Sequence, residues 1–144
     1  MTTTCRVVVL LAALLGLAIT AAAADRDLAS SLRAVVEGNL HAYDAKDAEG
    51  AMQWVHTRSP EYGPTKAAIV EQFRDMDVKA QVVDFRYMGH DDEFAVARVK
   101  TKLVGPPGGD FQDTVVDSVV LFHQENGTWK LWSDEVLGVQ MISG

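Results

Sequence analysis

The sequence predicts an α+β fold in which three N-terminal helices pack on an antiparallel sheet of four strands. Three observations support this prediction. Apolar residues recur at helical spacing from Asp27 to Met76, and from Val78 onward they alternate with the period of two typical of a β-strand. Asn126-Gly127 stands between two apolar runs, and this is the strongest short-range signal for a two-residue hairpin because both turn residues need positive φ.

Composition indicates one globular domain and an additional N-terminal segment. The chain has 144 residues, of which 48% are hydrophobic and 23% charged, and its formal net charge is -7. Nucleic acids and anionic membranes are bound through clusters of Lys and Arg, and no such cluster occurs in this chain. We therefore expect no nucleic-acid partner, and no membrane partner once the N-terminal segment is removed.

Residues 1–24 have the pattern of a secretory signal peptide. Arg6 precedes an apolar run over residues 7–19, and Ala22 and Ala24 provide an Ala-x-Ala cleavage site. The run is shorter than the roughly 20 residues that span a bilayer, which argues against an uncleaved anchor. The sequence thus predicts a secreted or periplasmic protein whose single mature domain comprises residues 25–144.

The lone cysteine, Cys5, lies inside the predicted signal peptide. The mature chain would then contain no cysteine, which excludes thiol catalysis and cysteine-based zinc sites. We expect neither a metal nor a cofactor, because the histidines lack helical zinc spacing and no Gly-rich phosphate loop or nucleophile elbow is present.

The first predicted helix starts near Asp27, with Asp25 or Asp27 as N-cap, and Gly38 weakens it by up to ~1 kcal/mol relative to Ala. Its apolar stripe consists of Leu28, Leu32, Val35, Val36, Leu40 and Tyr43. Asp47 can cap a short second helix that runs through Val55. Pro64 suits the first turn of a third helix. The apolar stripe of that helix is Ile69, Phe73 and Met76.

The strands follow in order. In the first strand, Val83, Phe85 and Tyr87 form one alternating set. Residues 89–92 turn the chain into a second strand over residues 94–104, and residues 105–109 form a wide connection to the hairpin at residues 111–139.

The Asn-Gly turn predicts the hairpin register. The predicted facing pairs are Glu125 with Thr128, Phe122 with Leu131, Leu121 with Trp132, Val119 with Asp134, and Asp117 with Val136. One face then carries Val116, Ser118, Val120, Phe122, Trp129, Leu131, Ser133, Glu135 and Leu137. The other carries Val115, Asp117, Val119, Leu121, His123, Lys130, Trp132, Asp134 and Val136. Because both faces hold apolar residues, we expect helices over one and another sheet or a partner chain over the other.

Two short segments resemble the nuclear-transport-factor-2-like superfamily, including its polyketide-cyclase-like (SnoaL-like) members. They are Ala42-Tyr43-Asp44-Ala45-Lys46-Asp47-Ala48 and Asn126-Gly127-Thr128-Trp129-Lys130-Leu131, with a helix over residues 66–76 and long paired strands between them. The resemblance implies a cone-shaped α+β barrel in which a curved sheet wraps a long helix and leaves a pocket at the open end. Members include isomerases, dehydratases, cyclases, epoxide hydrolases and domains without chemistry, so the fold does not choose a function.

The candidate catalytic residues are Asp117, Asp134 and His123, which the predicted register places on one face with Trp132. The two carboxylates would be diagonal neighbours, with backbones ~7–8 Å apart. In an apolar pocket, a carboxyl pKa rises toward values useful for a general acid or base. Enzymes of the resembled fold commonly use an Asp in this way on a ketone or similar acidic C–H.

Two alternatives remain open for this face. The carboxylates can instead lie on a partly solvated surface, paired with Lys130, Arg98 or Lys100. The concave face can also be the opposite one, which offers Ser118, Ser133 and Glu135.

The candidate ligand-binding residues are Tyr43, Trp54 and Trp132. In the resembled fold, Tyr43 and Trp54 lie where helix residues reach the pocket, and the alternative is that both are core aromatics with a satisfied polar tip.

The sequence supports three hypotheses for the function. The protein is an exported domain that binds a small, partly apolar molecule; an isomerase, dehydratase or cyclase with an Asp general base; or an interaction domain that forms a homodimer through the sheet.

Overall fold

A computed structural model of the chain describes residues 4–75 and 77–142, and for residues 4–19 it describes the backbone only. The chain divides into two compact units, residues 1–31 and 32–144. Among the described residues, no helix is both long and apolar enough to cross a membrane. The first three residues of the predicted signal peptide lie outside the described residues, and its cleavage stays a prediction.

Helix α1 spans Thr4–Asp44 and therefore begins well before the predicted start. The proposed N-caps Asp25 and Asp27 are wrong, because both residues lie inside the helix. The physical reason is that the preceding Leu- and Ala-rich run has high helix propensity and contains no Pro. In the second unit the predicted stripe is confirmed, since Leu32, Val35 and Val36 are buried.

Helix α2 spans Ala48–Met52, and its predicted N-cap is confirmed: the Asp47 carboxylate accepts a hydrogen bond from the Gly50 N–H at 2.9 Å. The helix is shorter than predicted because the following segment pairs with a strand instead. The His56 N–H donates to the Leu131 carbonyl, and the Leu131 N–H donates to the Trp54 carbonyl, both at 2.8 Å.

Helix α3 spans Tyr62–Asp75, with Pro64 in its first turn as predicted. Ile69 is buried and Phe73 is half-buried, whereas Met76 of the predicted stripe lies outside the described residues. Ile69 belongs to a core cluster that joins the three helices within the second unit. The cluster consists of Ala42, Ala51, Met52, Val55 and Ile69.

The strands are β1 (Lys79–His90), β2 (Phe94–Val104), β3 (Thr114–Glu125) and β4 (Thr128–Met141). They form an antiparallel sheet in the order β1-β2-β3-β4, which confirms the predicted meander. In β1 Phe85 and Tyr87 are half-buried between exposed neighbours, as the predicted alternation requires. The pairing shifts between Val82 and Asp84, so Val83 departs from the predicted set: Val82 is buried in its place and Val83 is exposed.

The Asn-Gly turn is confirmed, because Asn126 (φ 53°) and Gly127 (φ 78°) both have positive φ. The predicted register holds from the turn as far as the pair Phe122–Leu131. Beyond that pair the register is wrong, since Trp132 is an extra residue in β4.

The shift at Trp132 changes which residues share a face. Leu121 pairs with Ser133 rather than Trp132, and Val120 pairs with Asp134. A one-residue bulge moves the side chains that follow it to the opposite face, here as far as a second shift between Asp117 and Ser118. Asp134 therefore shares the face of Val120 and not that of Asp117, and the predicted diagonal pair of carboxylates is wrong.

The buried face of the sheet is the concave one, and it is covered by α1. Its buried residues are Ala95, Ala97, Val99, Val120 and Phe122. Val36 of α1 lines the same cavity as Val99 and Val120. The hairpin face that points inward is thus the one predicted to carry Ser118, Val120 and Phe122.

Candidate functional site

A cavity of about 220 Å³ lies between the last turns of α1 and the concave face of the sheet. Its apolar walls are Val36, Leu40, Val55, Val99, Val120, Leu131 and Trp132. An apolar cavity of this kind with a few convergent polar groups is typical of a small-molecule site. The polar groups in this cavity include the neutral side chains Asn39, Thr65, Thr101, Ser118 and Ser133.

Asp134 enters the cavity lining because of the bulge at Trp132. Its carboxyl lies at the rim, where the residue remains exposed although protein atoms surround part of it. Desolvation by these atoms raises its pKa, and the nearby charge of Glu135 raises it further. Of the three residues proposed as catalytic, Asp134 is the one that the structure places at the cavity.

Glu61 also lines the cavity, and sequence reasoning missed it. Its pKa is raised by desolvation and then by the charge of Asp134, while a hydrogen bond from the Asp134 backbone opposes the shift. The sequence offers no signal for this residue, because Glu61 stands between the second and third predicted helices, outside both apolar stripes. Its proximity to Asp134 depends on a contact across some seventy residues of chain.

Ser59 holds Glu61 beside the bulge. This buried hydroxyl donates to the Trp132 carbonyl at 2.5 Å and accepts from the Glu61 N–H at 3.0 Å. One side chain therefore connects the segment before α3 to the bulged residue of β4. The arrangement positions Glu61 and Asp134 at the same end of the cavity.

Tyr43 lines the cavity as predicted and also packs against the core. Its ring meets that of Phe73 edge to face, with 5.3 Å between centroids. Desolvation raises the pKa of the Tyr43 hydroxyl, and the charge of Asp134 raises it further. Tyr43 therefore both lines the cavity and packs in the core, so each of the two predicted roles describes part of its environment.

Asp117 does not reach the cavity. It accepts two hydrogen bonds from the Arg98 guanidinium, at 2.8 and 2.7 Å, on the opposite face of the sheet. These hydrogen bonds hold the pKa of the Asp117 carboxyl below its usual range. The alternative of a paired carboxylate, with Arg98 as partner, is therefore the correct one for Asp117.

His123 lies in an aromatic cluster rather than in the cavity. Its ring stacks on Trp132 at 4.8 Å and meets Phe94 and the buried His56 edge to face. His56 accepts from the Arg58 N–H through Nδ1, so its Nε2 carries the hydrogen that it donates to a carbonyl of β3. Both rings are thus engaged in packing and in hydrogen bonds to the backbone.

The two tryptophans proposed as ligand-binding residues have different positions. Trp132 lines the cavity and bounds the aromatic cluster. Trp54 does not line the cavity and instead covers Gly38 of α1, where an added Cβ would lie 2.3 Å from its ring. Among the described residues, no group of three or more His, Cys, Asp or Glu side chains is arranged to hold a metal.

The fold of the domain is shared with known proteins. The described residues from 32 to 142 form an α+β domain with the fold of solved nuclear-transport-factor-2-like proteins, as the resemblance predicted. By sequence, the chain belongs to the family described as anti-sigma-I factor RsgI9, C-terminal domain, whose model matches residues 34–142. No curated protein matches the chain significantly.

Three solved structures illustrate the likeness. A nuclear-transport-factor-2-like protein of unknown function from Pseudomonas putida KT2440 has a TM-score of 0.64 at 12% identity, over 77% of this chain and 86% of that one. A candidate scytalone dehydratase from Novosphingobium aromaticivorans has a TM-score of 0.61 at 8% identity, over 80% and 87%. A candidate dehydratase of this superfamily from Streptomyces avermitilis has a TM-score of 0.60 at 14% identity, over 80% and 97%. At these identities the likeness establishes the fold alone.

Proposed function

We propose that this protein is an exported binding domain that takes up a small, partly apolar molecule in the cavity beneath α1. The supporting observation is the cavity itself, which has a volume of about 220 Å³ and a lining of apolar and polar side chains. A dry engineered cavity of about 150 Å³ holds a benzene molecule, so this volume suits one ring with a short substituent. The matching family is named for a domain of an anti-sigma factor, which favours binding over catalysis.

The test fills the cavity and measures binding of benzyl alcohol. Ser118 lines the cavity, whereas Val119 is its neighbour on the opposite face of β3. We expect benzyl alcohol to shift amide signals of cavity residues in NMR spectra of the full chain. Ser118→Phe should abolish these shifts and Val119→Phe should retain them. Absence of shifts in the unsubstituted protein, or their survival in Ser118→Phe, would overturn the proposal.

A second candidate function is proton transfer by Asp134 in an isomerase, dehydratase or cyclase. It is favoured by the raised pKa of the Asp134 carboxyl at a cavity that also contains the Tyr43 hydroxyl. Two of the similar structures are described as candidate dehydratases. The test follows exchange of the α-hydrogens of cyclohexanone for deuterium by NMR. An exchange rate above that of buffer alone, falling roughly 100-fold in Asp134→Asn, would support catalysis. An exchange rate equal to that of buffer would exclude catalysis on this ketone.

A third candidate is a homodimer formed through the sheet. The second half of β4 exposes a run of apolar side chains that such an interface would cover. They are Val136, Leu137, Val139 and Met141. Light scattering at micromolar concentration tests this proposal, and a monomeric mass would contradict it.

A further inference from the structure

The ionisable groups that line the cavity are all acids. Tyr43, Glu61 and Asp134 face it, and the described lining contains no Lys, Arg or His. The other polar side chains of the lining are neutral, so the acidic end is the charged part of the cavity. A ligand oriented by this end would meet acceptor oxygens and negative charge.

The two carboxylates lack the cationic partners that other acids of the same domain have. Asp117 is paired with Arg98, and Glu125 lies 3.9 Å from the Lys130 ammonium. Among the described residues, neither Glu61 nor Asp134 forms an ion pair with a Lys, Arg or His. The described residues therefore place no cationic side chain against the negative charge at this end, and Glu61 has a hydrogen bond from the Asp134 backbone in its place.

Holding two carboxylates beside one another at a partly desolvated site is unfavourable. Desolvation and the charge of Asp134 both raise the pKa of Glu61, and the same end of the cavity also contains the hydroxyl of Tyr43. The cost is relieved when a proton or a cation occupies the space between these groups. A bound ammonium would do so while donating hydrogen bonds to both carboxylates.

We propose that the natural ligand is a small organic cation, an amine with an apolar body of about one ring. This inference rests on the proposed binding function and specifies its ligand class. The ammonium lies between Glu61 and Asp134, and the apolar body fills the space bounded by Val99 and Val120. The Tyr43 ring, at the same end, adds an aromatic surface that suits a cation.

The experiment compares three probes of nearly equal size that differ in charge: benzylamine, benzyl alcohol and benzoate. Their dissociation constants for the full chain are measured at neutral pH by NMR titration. We expect benzylamine to bind at least about tenfold more tightly than benzyl alcohol, a difference of about 1.4 kcal/mol, and benzoate to bind most weakly.

Variants test whether this preference arises at the acidic end of the cavity. The double variant Glu61→Gln with Asp134→Asn should bind benzylamine no more tightly than benzyl alcohol. Asp92→Asn is the matched control, since it removes one negative charge from an exposed turn away from the cavity. This control should leave the preference for benzylamine intact.

The outcomes separate the ligand class from the proposed function. Equal binding of benzylamine and benzyl alcohol by the unsubstituted protein, or tighter binding of benzoate, overturns the cationic ligand and leaves the binding function standing. A benzylamine preference that persists in the double variant also overturns the inference. If none of the three probes binds, both the binding function and the ligand class are refuted.

Discussion

Gly38→Ala is the substitution for which sequence and structure predict opposite effects. In an ordinary helix the change stabilises by up to ~1 kcal/mol, because Gly has the lower helix propensity. Here the added Cβ would lie 2.3 Å from Cζ2 and 2.6 Å from Cε2 of Trp54. These atoms belong to the rigid indole of Trp54, a residue whose backbone carbonyl accepts from the Leu131 N–H at 2.8 Å. To make room, the indole must leave its rotamer or displace the segment that pairs with β4.

The magnitude follows from two opposing terms. Overpacking of this kind costs roughly 1–3 kcal/mol, against the propensity gain of up to ~1 kcal/mol. We therefore expect Gly38→Ala to lower the free energy of unfolding by up to about 2 kcal/mol. In a domain of this size, that corresponds to a fall in Tm of several degrees.

The assay is urea and thermal unfolding of the full chain followed by circular dichroism. Gly138→Ala is the matched control, since a Cβ there meets no atom within 4 Å and the residue has no positive φ. It should be neutral or slightly stabilising, because Ala restricts the unfolded chain. Replacing Trp54 by Leu in the Gly38→Ala background should recover part of the loss. If Gly38→Ala instead raises Tm, the ring is free to move and the reasoning is refuted.

Three further predictions concern the site and the N-terminus. Because the pKa values of Glu61 and Asp134 are raised on folding, the stability that these two groups contribute is lost as pH rises through their titration. Asp117 and Glu125, whose pKa values are lowered, contribute with the opposite sign, so the test compares the unsubstituted protein with Asp134→Asn. Urea unfolding at a series of pH values should give a more positive slope of the free energy of unfolding against pH in Asp134→Asn, and identical slopes would contradict the assignment. Ser59→Ala removes the hydroxyl that joins Glu61 to β4. We expect it to lower the free energy of unfolding in urea by about 1–2 kcal/mol and to weaken benzylamine binding. Unchanged benzylamine affinity would show that the Ser59 hydroxyl does not position Glu61. N-terminal sequencing of the exported protein should begin at Asp25, and an intact N-terminus would refute cleavage.

Much of the fold could be predicted from local patterns in the sequence. Helical spacing identified the inner stripe of α1 in the second unit, where Leu32, Val35 and Val36 are buried. The chemistry of the Asn126-Gly127 turn identified the hairpin and its first facing pairs. These features depend on neighbours a few residues apart, which the sequence displays directly.

The candidate site was predicted less completely. Tyr43 lines the cavity as predicted, whereas Trp132 and Asp134 line it although both were selected from a register that proved wrong. Asp117 was assigned to the same face because a regular strand pairing ignores the extra residue. Glu61 was missed, since its neighbours in sequence give no indication of a contact with β4.

The sequence by itself therefore determined the elements, their order and the turn that starts the hairpin, because periodicity and turn propensity act over short stretches of chain. Tertiary structure decided which carboxylates meet. The bulge at Trp132 turns Asp134 inward, and the Ser59 hydroxyl brings Glu61 beside it. Both effects depend on hydrogen bonds between distant segments, and only the folded chain brings those segments together.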